Sequence, residues 1–344
     1  MESIIFYDIK KPPFSIHGLW QANEPGAFCR IPCEVAAVTN VHVAKLYSDT
    51  AGGRVRFCTD SETLTVRVTR APFKRNHTVA PFLEFGIDLY HDTACGSKFL
   101  ASKRLKEPEG YEGDSLWECS FSLPEGEKAL TLYMPCYGKV EAMEIGLNAG
   151  ASLSAHTPYT YQRPILFYGS SITQGACSSR SGKAYPAILS RRFDMDFINL
   201  GFAGSCRGED VICNHMAERD ICAFVSDYDH NRSCAEKLAD NHYRVYELIR
   251  EKHPDIPYYM ISRPDFYYNE QDFNRRAVVM ESYLKAWRGG DRNVYFIDGS
   301  AFFATTDKLE YTQDGTHPTD EGFLRMADLI GAVLENTLPF DKMK

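Results

Sequence analysis

The feature that most constrains this chain is a change of hydrophobic rhythm near its middle. From about Gly53 to Leu147 the sequence runs in short alternating pieces: GRVRF, LTVRVTR, FLEFGIDLY, SLWECSF, KALTLYMP and VEAMEIGL. Turn-rich segments such as TDSE, PEGYEGD and LPEGEK separate them. In LTVRVTR the apolar Leu64, Val66 and Val68 alternate with polar residues, the period of a strand buried on one face. This half predicts an all-β sandwich. After about His156 the rhythm becomes apolar strands (PILFYG, DFINLG, ICAFVSD, PYYMIS, NVYFID) separated by longer amphipathic stretches. Five successive β–α units imply a parallel sheet covered by helices on both faces. The segment Ala149 to Gln162, small and polar with Pro158, reads as the linker, so the expected domains are residues 1–155 and 156–344. A length of 344 residues supports two cores.

Composition narrows the function classes. A net charge of −8 arises from scattered charges of both signs, without the basic clusters that a phosphate backbone requires, so nucleic acid is not an expected partner. No basic start followed by an apolar signal-type run occurs, nor a stretch of about 18 apolar residues. A cytoplasmic protein with no membrane partner is expected. The 11 cysteines are odd in number and several sit in apolar strand-like runs, such as Cys119 and Cys222, so reduced thiols are expected. Cys29 and Cys33 lack a second ligand pair at zinc spacing, so no metal site is expected.

The chemistry gathers at the ends of the later strands, where parallel α/β sheets bind ligands. The first, Pro164 to Tyr168, runs into Gly169-Ser170-Ser171-Ile172-Thr173-Gln174-Gly175 and then a helix. A serine at such a turn is exposed to the cleft, with backbone amides facing a developing negative charge; a plain Ser/Gly turn capping the helix is the alternative. The second strand ends in Asn199-Leu200-Gly201-Phe202-Ala203-Gly204-Ser205, a glycine-rich turn whose N–H groups suit an oxyanion. The third runs into Tyr228-Asp229-His230-Asn231, where Asn231 can donate without charge. Near the C-terminus, Asp314-Gly315-Thr316-His317-Pro318 sets a base three residues after a carboxylate that can orient it.

Taken in order, GSSITQG, NLGFAGS, DYDHN and DGTHP resemble the four sequence blocks of the SGNH (GDSL-like) hydrolase superfamily. Gly86-Ile87-Asp88-Leu89-Tyr90 resembles the GxDLY motif of the domain that precedes certain SGNH hydrolase domains, so the resemblance spans nearly the whole chain. It implies a flavodoxin-like three-layer α/β/α domain with a five-stranded parallel sheet after a jelly-roll-like sandwich. It implies Ser171 as nucleophile, His317 as base, Asp314 as its orienting acid, and the Ser171 and Gly204 amides with Asn231 as oxyanion donors. Two departures stand out. The usual GDS is Gly169-Ser170-Ser171, which keeps the attacking group; the usual GxND is Asp227-Tyr228-Asp229-His230-Asn231, which leaves Asp229 or His230 as alternatives facing the cleft.

The expected activity is that of a cofactor-free serine esterase acting on O-acyl, above all O-acetyl, esters of a carbohydrate or small molecule. Acyl transfer by the same Ser171, and a catalytically silent binding protein, are the rival readings. Asp88 and Tyr90 are candidates either for substrate contact or for stabilising the sandwich. Arg263, in Ser262-Arg263-Pro264-Asp265, is a candidate either for binding substrate or for a surface pair with Asp265. Trp20, Tyr267 and Tyr268 suit sugar rings and protein cores alike. A homo-oligomer is the default expectation for assembly.

Overall fold

The computed structural model describes residues 3–70, 79–105, 115–264, 270–303 and 308–340. The chain divides into two compact units, the first comprising residues 1–31, 48–159 and 179–182, the second residues 32–47, 160–178 and 183–344.

The first unit is a β-sandwich of antiparallel sheets. Its strands are β1 (Ile4–Asp8), β2 (Ser15–His17), β3 (Arg54–Thr59), β4 (Thr63–Arg70), β5 (Gly86–Thr93), β6 (Gly96–Arg104), β7 (Ser115–Ser122), β8 (Lys128–Tyr133), β9 (Ala142–Asn148) and β10 (Leu153–Ser154). One sheet runs β1-β9-β4-β7, the other β10-β3-β8-β5-β6 with β2 beside β3. The alternation in β4 sets the register: Leu64, Val66 and Val68 lie opposite Phe121, Cys119 and Trp117 on one side and Leu147, Ile145 and Met143 on the other. All nine side chains join the core, with Val55, Phe57, Ile87, Leu89, Leu130 and Leu132 from the second sheet. Burying each large aliphatic chain contributes about 1.5–3 kcal/mol.

The opposite face of the second sheet is polar and also buried. Arg54 and Arg56 are at most 3% exposed; Arg56 lies 3.7 Å from the Tyr159 ring centroid, and Arg54 Nε donates to Tyr159 Oη at 3.0 Å. Asp92 accepts from Thr131 Oγ1 and pairs with His156 Nε2 at 3.0 Å. These partners explain why the unit continues to Tyr159 rather than stopping at the expected 155.

The second unit carries five parallel strands: β11 (Tyr161–Gly169), β12 (Met195–Gly201), β13 (Ala223–Asp227), β14 (Tyr258–Ile261) and β15 (Val294–Ile297), ordered β12-β11-β13-β14-β15. Both faces carry helices, as the buried apolar strands require. Helix Tyr185–Phe193 packs with helix Asp320–Thr337, while helix His242–Lys252 packs with Asp210–Ala217 and Glu270–Arg288. Helix Asp320–Thr337 shows why: Phe323, Met326, Ala327, Ile330 and Leu334 form one buried stripe, and Thr319 caps the start by accepting from the Gly322 N–H.

Residues 32–47 belong to this second unit, a difference from the expected boundary. They form short helices, Cys33–Thr39 and Val43–Leu46. Asn40 Nδ2 between them donates to Ser205 O and Glu209 Oε1, at 3.1 and 2.7 Å. The strand order reverses on either side of β11, and Gly169 is in register with both Gly201 and Asp227. Three loops therefore leave the carboxyl edge side by side at the switch point. Among the described residues no helix is long and apolar enough to cross a membrane.

Candidate active site

The turn after β11 is held by groups that leave little freedom. Ser170, fully buried, caps helix Ser171–Gln174 by accepting from the Ile172 N–H at 3.1 Å, and its own N–H donates to Asp227 O at 3.0 Å. A side chain at Gly169 would overlap Thr173 Oγ1 and the Asp227 carbonyl, so the strand turns into the helix only with glycine there. Below it, Asp227 accepts from Thr173 Oγ1 at 2.8 Å and Tyr185 Oη at 3.0 Å. Burial, aided by the charge of Asp229, pushes Asp227 up to about 7 against the pull of those two hydroxyls.

Ser171 is thus presented at the start of a helix, and its Oγ lies 2.8 Å from His317 Nε2. His317 Nδ1 lies 2.7 Å from Asp314 Oδ2. A carboxylate beside Nδ1 places the ring proton there and leaves the Nε2 lone pair to accept from the serine hydroxyl. The loop that carries both residues closes on itself: Gln313 N donates to His317 O, Thr319 N to Tyr311 O, and Gly315 takes φ +82°. Asp314 Oδ1 accepts from the Thr316 and His317 N–H groups at 3.0 and 2.8 Å. Burial works to raise the Asp314 pKa, but these amides and the imidazole outweigh it and hold the carboxyl below its ordinary value.

Gly204 lies in the loop after β12, left-handed at φ +67° and exposed, a conformation that glycine adopts without strain. The loop is tied down by Ala203 N donating to Gln174 Oε1 at 3.0 Å and Phe202 N to Gly169 O at 2.9 Å. Asn231 closes the 3₁₀ turn Asp229–Asn231 after β13, and its Oδ1 accepts from the Cys206 N–H at 3.1 Å. With the oxygen committed, the Nδ2 amide makes no hydrogen bond among the described residues and is left to donate.

The two alternatives to Asn231 are placed differently. Asp229 is buried, accepts from Arg263 N at 3.0 Å, and is pushed up to about 6 by burial against the opposing pull of the Arg263 N–H and guanidinium. His230 has both ring nitrogens without a hydrogen-bond partner among the described residues. Burial first, then the charges of Arg263 and His317, hold it well below its ordinary pKa, so it is neutral.

The remaining candidates are engaged in structure. Asp88, 0% exposed, accepts from Ser102 Oγ at 2.6 Å, Gly182 N at 2.7 Å and Arg180 Nη1 at 3.1 Å, all within the first unit. Arg180 also donates to Tyr90 Oη at 2.7 Å. Arg263 pairs with Asp272 at 2.5 Å, an acid it shares with Arg275; Asp265, Tyr267 and Tyr268 lie outside the described residues. Among the described residues one set has three metal-capable ligand atoms within 4.8 Å of one another, Cys177, Asp314 and His317. Two of these already form the relay, so a cation there would interrupt it. The sequence reading did not single out Cys177, which stands six residues after Ser171 with no motif around it, nor the Thr173–Asp227–Tyr185 support.

The model of the GDSL-like lipase/acylhydrolase family matches residues 162–335, and that of the GxDLY N-terminus of SGNH-hydrolase-type esterases matches residues 4–153. Among solved structures, a protein described as a GDSL-like lipase from Bacteroides ovatus ATCC 8483 is 27% identical, with a TM-score of 0.85 over 99% of both chains. A salicylyl-acyltransferase from a tetracycline biosynthetic pathway is 21% identical, TM-score 0.78, covering 98% of this chain and 99% of its own. A family two carbohydrate esterase from Clostridium thermocellum is 17% identical, TM-score 0.64, covering 84% and 94%. None of the curated proteins matches the sequence.

Proposed function

The chain belongs to the GDSL-like lipase/acylhydrolase family, and we propose that it is a serine esterase that removes an O-acyl group, foremost acetyl, from a carbohydrate or small molecule. The observation that carries this reading is the continuous relay Ser171 Oγ, His317 Nε2, His317 Nδ1, Asp314 Oδ2, with both links under 3 Å. In the proposed reaction His317 takes the hydroxyl proton as Ser171 Oγ bonds to the ester carbonyl carbon. The carbonyl electron pair moves onto oxygen, where the Ser171 and Gly204 amides and Asn231 Nδ2 receive it. Collapse expels the alcohol, which takes the proton from His317. Water, deprotonated by the same imidazole, then releases the acid and regenerates Ser171. A protein with family two carbohydrate esterases among its structural neighbours suits an acetylated sugar. A cytoplasmic location belongs to the same proposal, on the ground that the cysteines are odd in number and several lie in apolar strands.

Acyl transfer to an alcohol differs only in what resolves the acyl-enzyme, and the likeness to a salicylyl-acyltransferase over nearly the whole chain favours keeping it as the second reading. The test is to assay the wild-type and Ser171→Ala proteins on p-nitrophenyl acetate, longer acyl esters and acetylated sugars, following chromophore and free acid. Ser171-dependent acid release supports the esterase; a product that shifts to a new ester with excess alcohol supports transfer. No Ser171-dependent turnover of any ester refutes both.

A further inference from the structure

The second unit carries a cavity of about 330 Å³ walled by Arg207, Asn231, Arg232, Ser233 and Lys237. Three of these five residues are cationic and none is a carboxylate, in a chain whose formal charge is −8. The backbone around the cavity does little to oppose that sign, because the carbonyl oxygens of Arg207, Arg232, Ser233 and Lys237, groups that would repel an anion, already accept hydrogen bonds. Arg232 Nη1 and Asn241 Nδ2 donate to Arg207 O. Arg275 Nε and Nη2 donate to Arg232 O and Ser233 O at 3.1 and 2.9 Å, and Arg232 Nε to Lys237 O at 2.9 Å. Arg232 is therefore spent on holding the wall. The side chains of Arg207, half-buried, and Lys237, exposed, make no hydrogen bond or ion pair among the described residues and stand free to bind.

Asn231 belongs to this wall and is also the oxyanion donor proposed above, and Arg207 lies three residues beyond Gly204. An anion held here sits beside the carbonyl under attack. The volume exceeds one carboxylate many times over, since a water occupies about 30 Å³, so part of the substrate's carbon framework enters with it. We propose that the cavity is an anion subsite and that the substrate is an ester bearing a carboxylate or phosphate near its scissile carbonyl. The substrate assignment rests on Ser171 being the nucleophile; the anion site itself does not.

The experiment separates the two. For wild type, Arg207→Gln and Lys237→Gln, kcat/KM is measured on p-nitrophenyl acetate, on the mono-p-nitrophenyl ester of succinate (charge on the acyl side) and on 4-acetoxybenzoate against phenyl acetate (charge on the alcohol side). The expected result is a preference for one charged ester over its neutral counterpart that falls on the order of fivefold to tenfold on losing either cation, and that weakens with salt. The arm that responds identifies the side carrying the charge. A charged-to-neutral ratio unchanged within twofold in both variants overturns the proposal. In parallel, calorimetric titration of Ser171→Ala protein with succinate and with inorganic phosphate reads the site without turnover and distinguishes carboxylate from phosphate. Binding lost on adding Arg207→Gln supports the subsite even if no ester is hydrolysed; absence of binding to either anion overturns it.

Discussion

Replacing Asp314 by Asn tests the proposed part of its carboxylate in the relay. In the proposed reaction the His317 ring becomes cationic on taking the serine proton, with a carboxylate oxygen 2.7 Å from Nδ1. Two unit charges about 4 Å apart interact by about 1 kcal/mol in water and about 4 kcal/mol at an effective dielectric of 20. The side chains of His317 and Asp314 are 24% and 49% exposed, so the site lies between these limits, at roughly 2–3 kcal/mol. At about 1.4 kcal/mol per decade this is ~30- to 150-fold in kcat. An amide also offers an N–H to Nδ1, favouring the tautomer whose Nε2 cannot accept from Ser171, which takes the total loss to roughly 10²- to 10³-fold. The loop should survive, because Asn retains an oxygen for the Thr316 and His317 amides. The assay is kcat/KM on p-nitrophenyl acetate, with Ser171→Ala as the floor and thermal melting as the control for folding. A loss below threefold in a protein that melts normally would show that the Asp314 charge does not support His317.

Asn231→Ala removes the proposed side-chain oxyanion donor and should lower kcat on the order of a hundredfold or more with a smaller change in KM; retention of half the rate would show the donor lies elsewhere. Asp88→Ala leaves Arg180 and the Gly182 N–H without their buried acceptor and should destabilise the first unit by about 3 kcal/mol, seen as an earlier melt; normal melting with a raised KM would instead make Asp88 a substrate contact. Asp227, raised from 3.8 to about 7 by burial, holds a proton in the folded protein that the unfolded chain releases between those values. Its contribution to stability is therefore present at low pH and lost as pH rises through about 7, so Asp227→Asn should gain in Tm relative to wild type from pH 5 to pH 8. A difference independent of pH would contradict it.

Much of the fold follows from period alone. The alternation of Leu64, Val66 and Val68 fixes which face of β4 is buried, and five apolar strands each followed by an amphipathic segment admit few topologies besides a parallel sheet. What local pattern does not carry is which short segment each core recruits. Residues 179–182 have no periodicity, and join the first unit only because Asp88 and the Cys136 N–H find Gly182, Arg180 and Ser181 in space. The short helices at 32–47 are likewise fixed by contacts distant in sequence, such as Asn40 with Glu209. At the site, Ser171, Asp314 and His317 are legible because each sits at a strand end or tight turn with a chemical partner. The cavity by Asn231 is not, because Arg207 and Arg232 lie in separate loops, Lys237 lies on the short helix Ala235–Ala239, and each reads singly as an ordinary surface cation.

If Ser171 carries the acyl group, the acyl-enzyme can be caught by quenching the enzyme during turnover of p-nitrophenyl acetate and weighing it by mass spectrometry. The expected result is one added acetyl group, located on the peptide containing Ser171 and absent from Ser171→Ala. Turnover with the acetyl group on another residue, or Ser171→Ala protein that still accumulates the adduct at the wild-type rate, would contradict it.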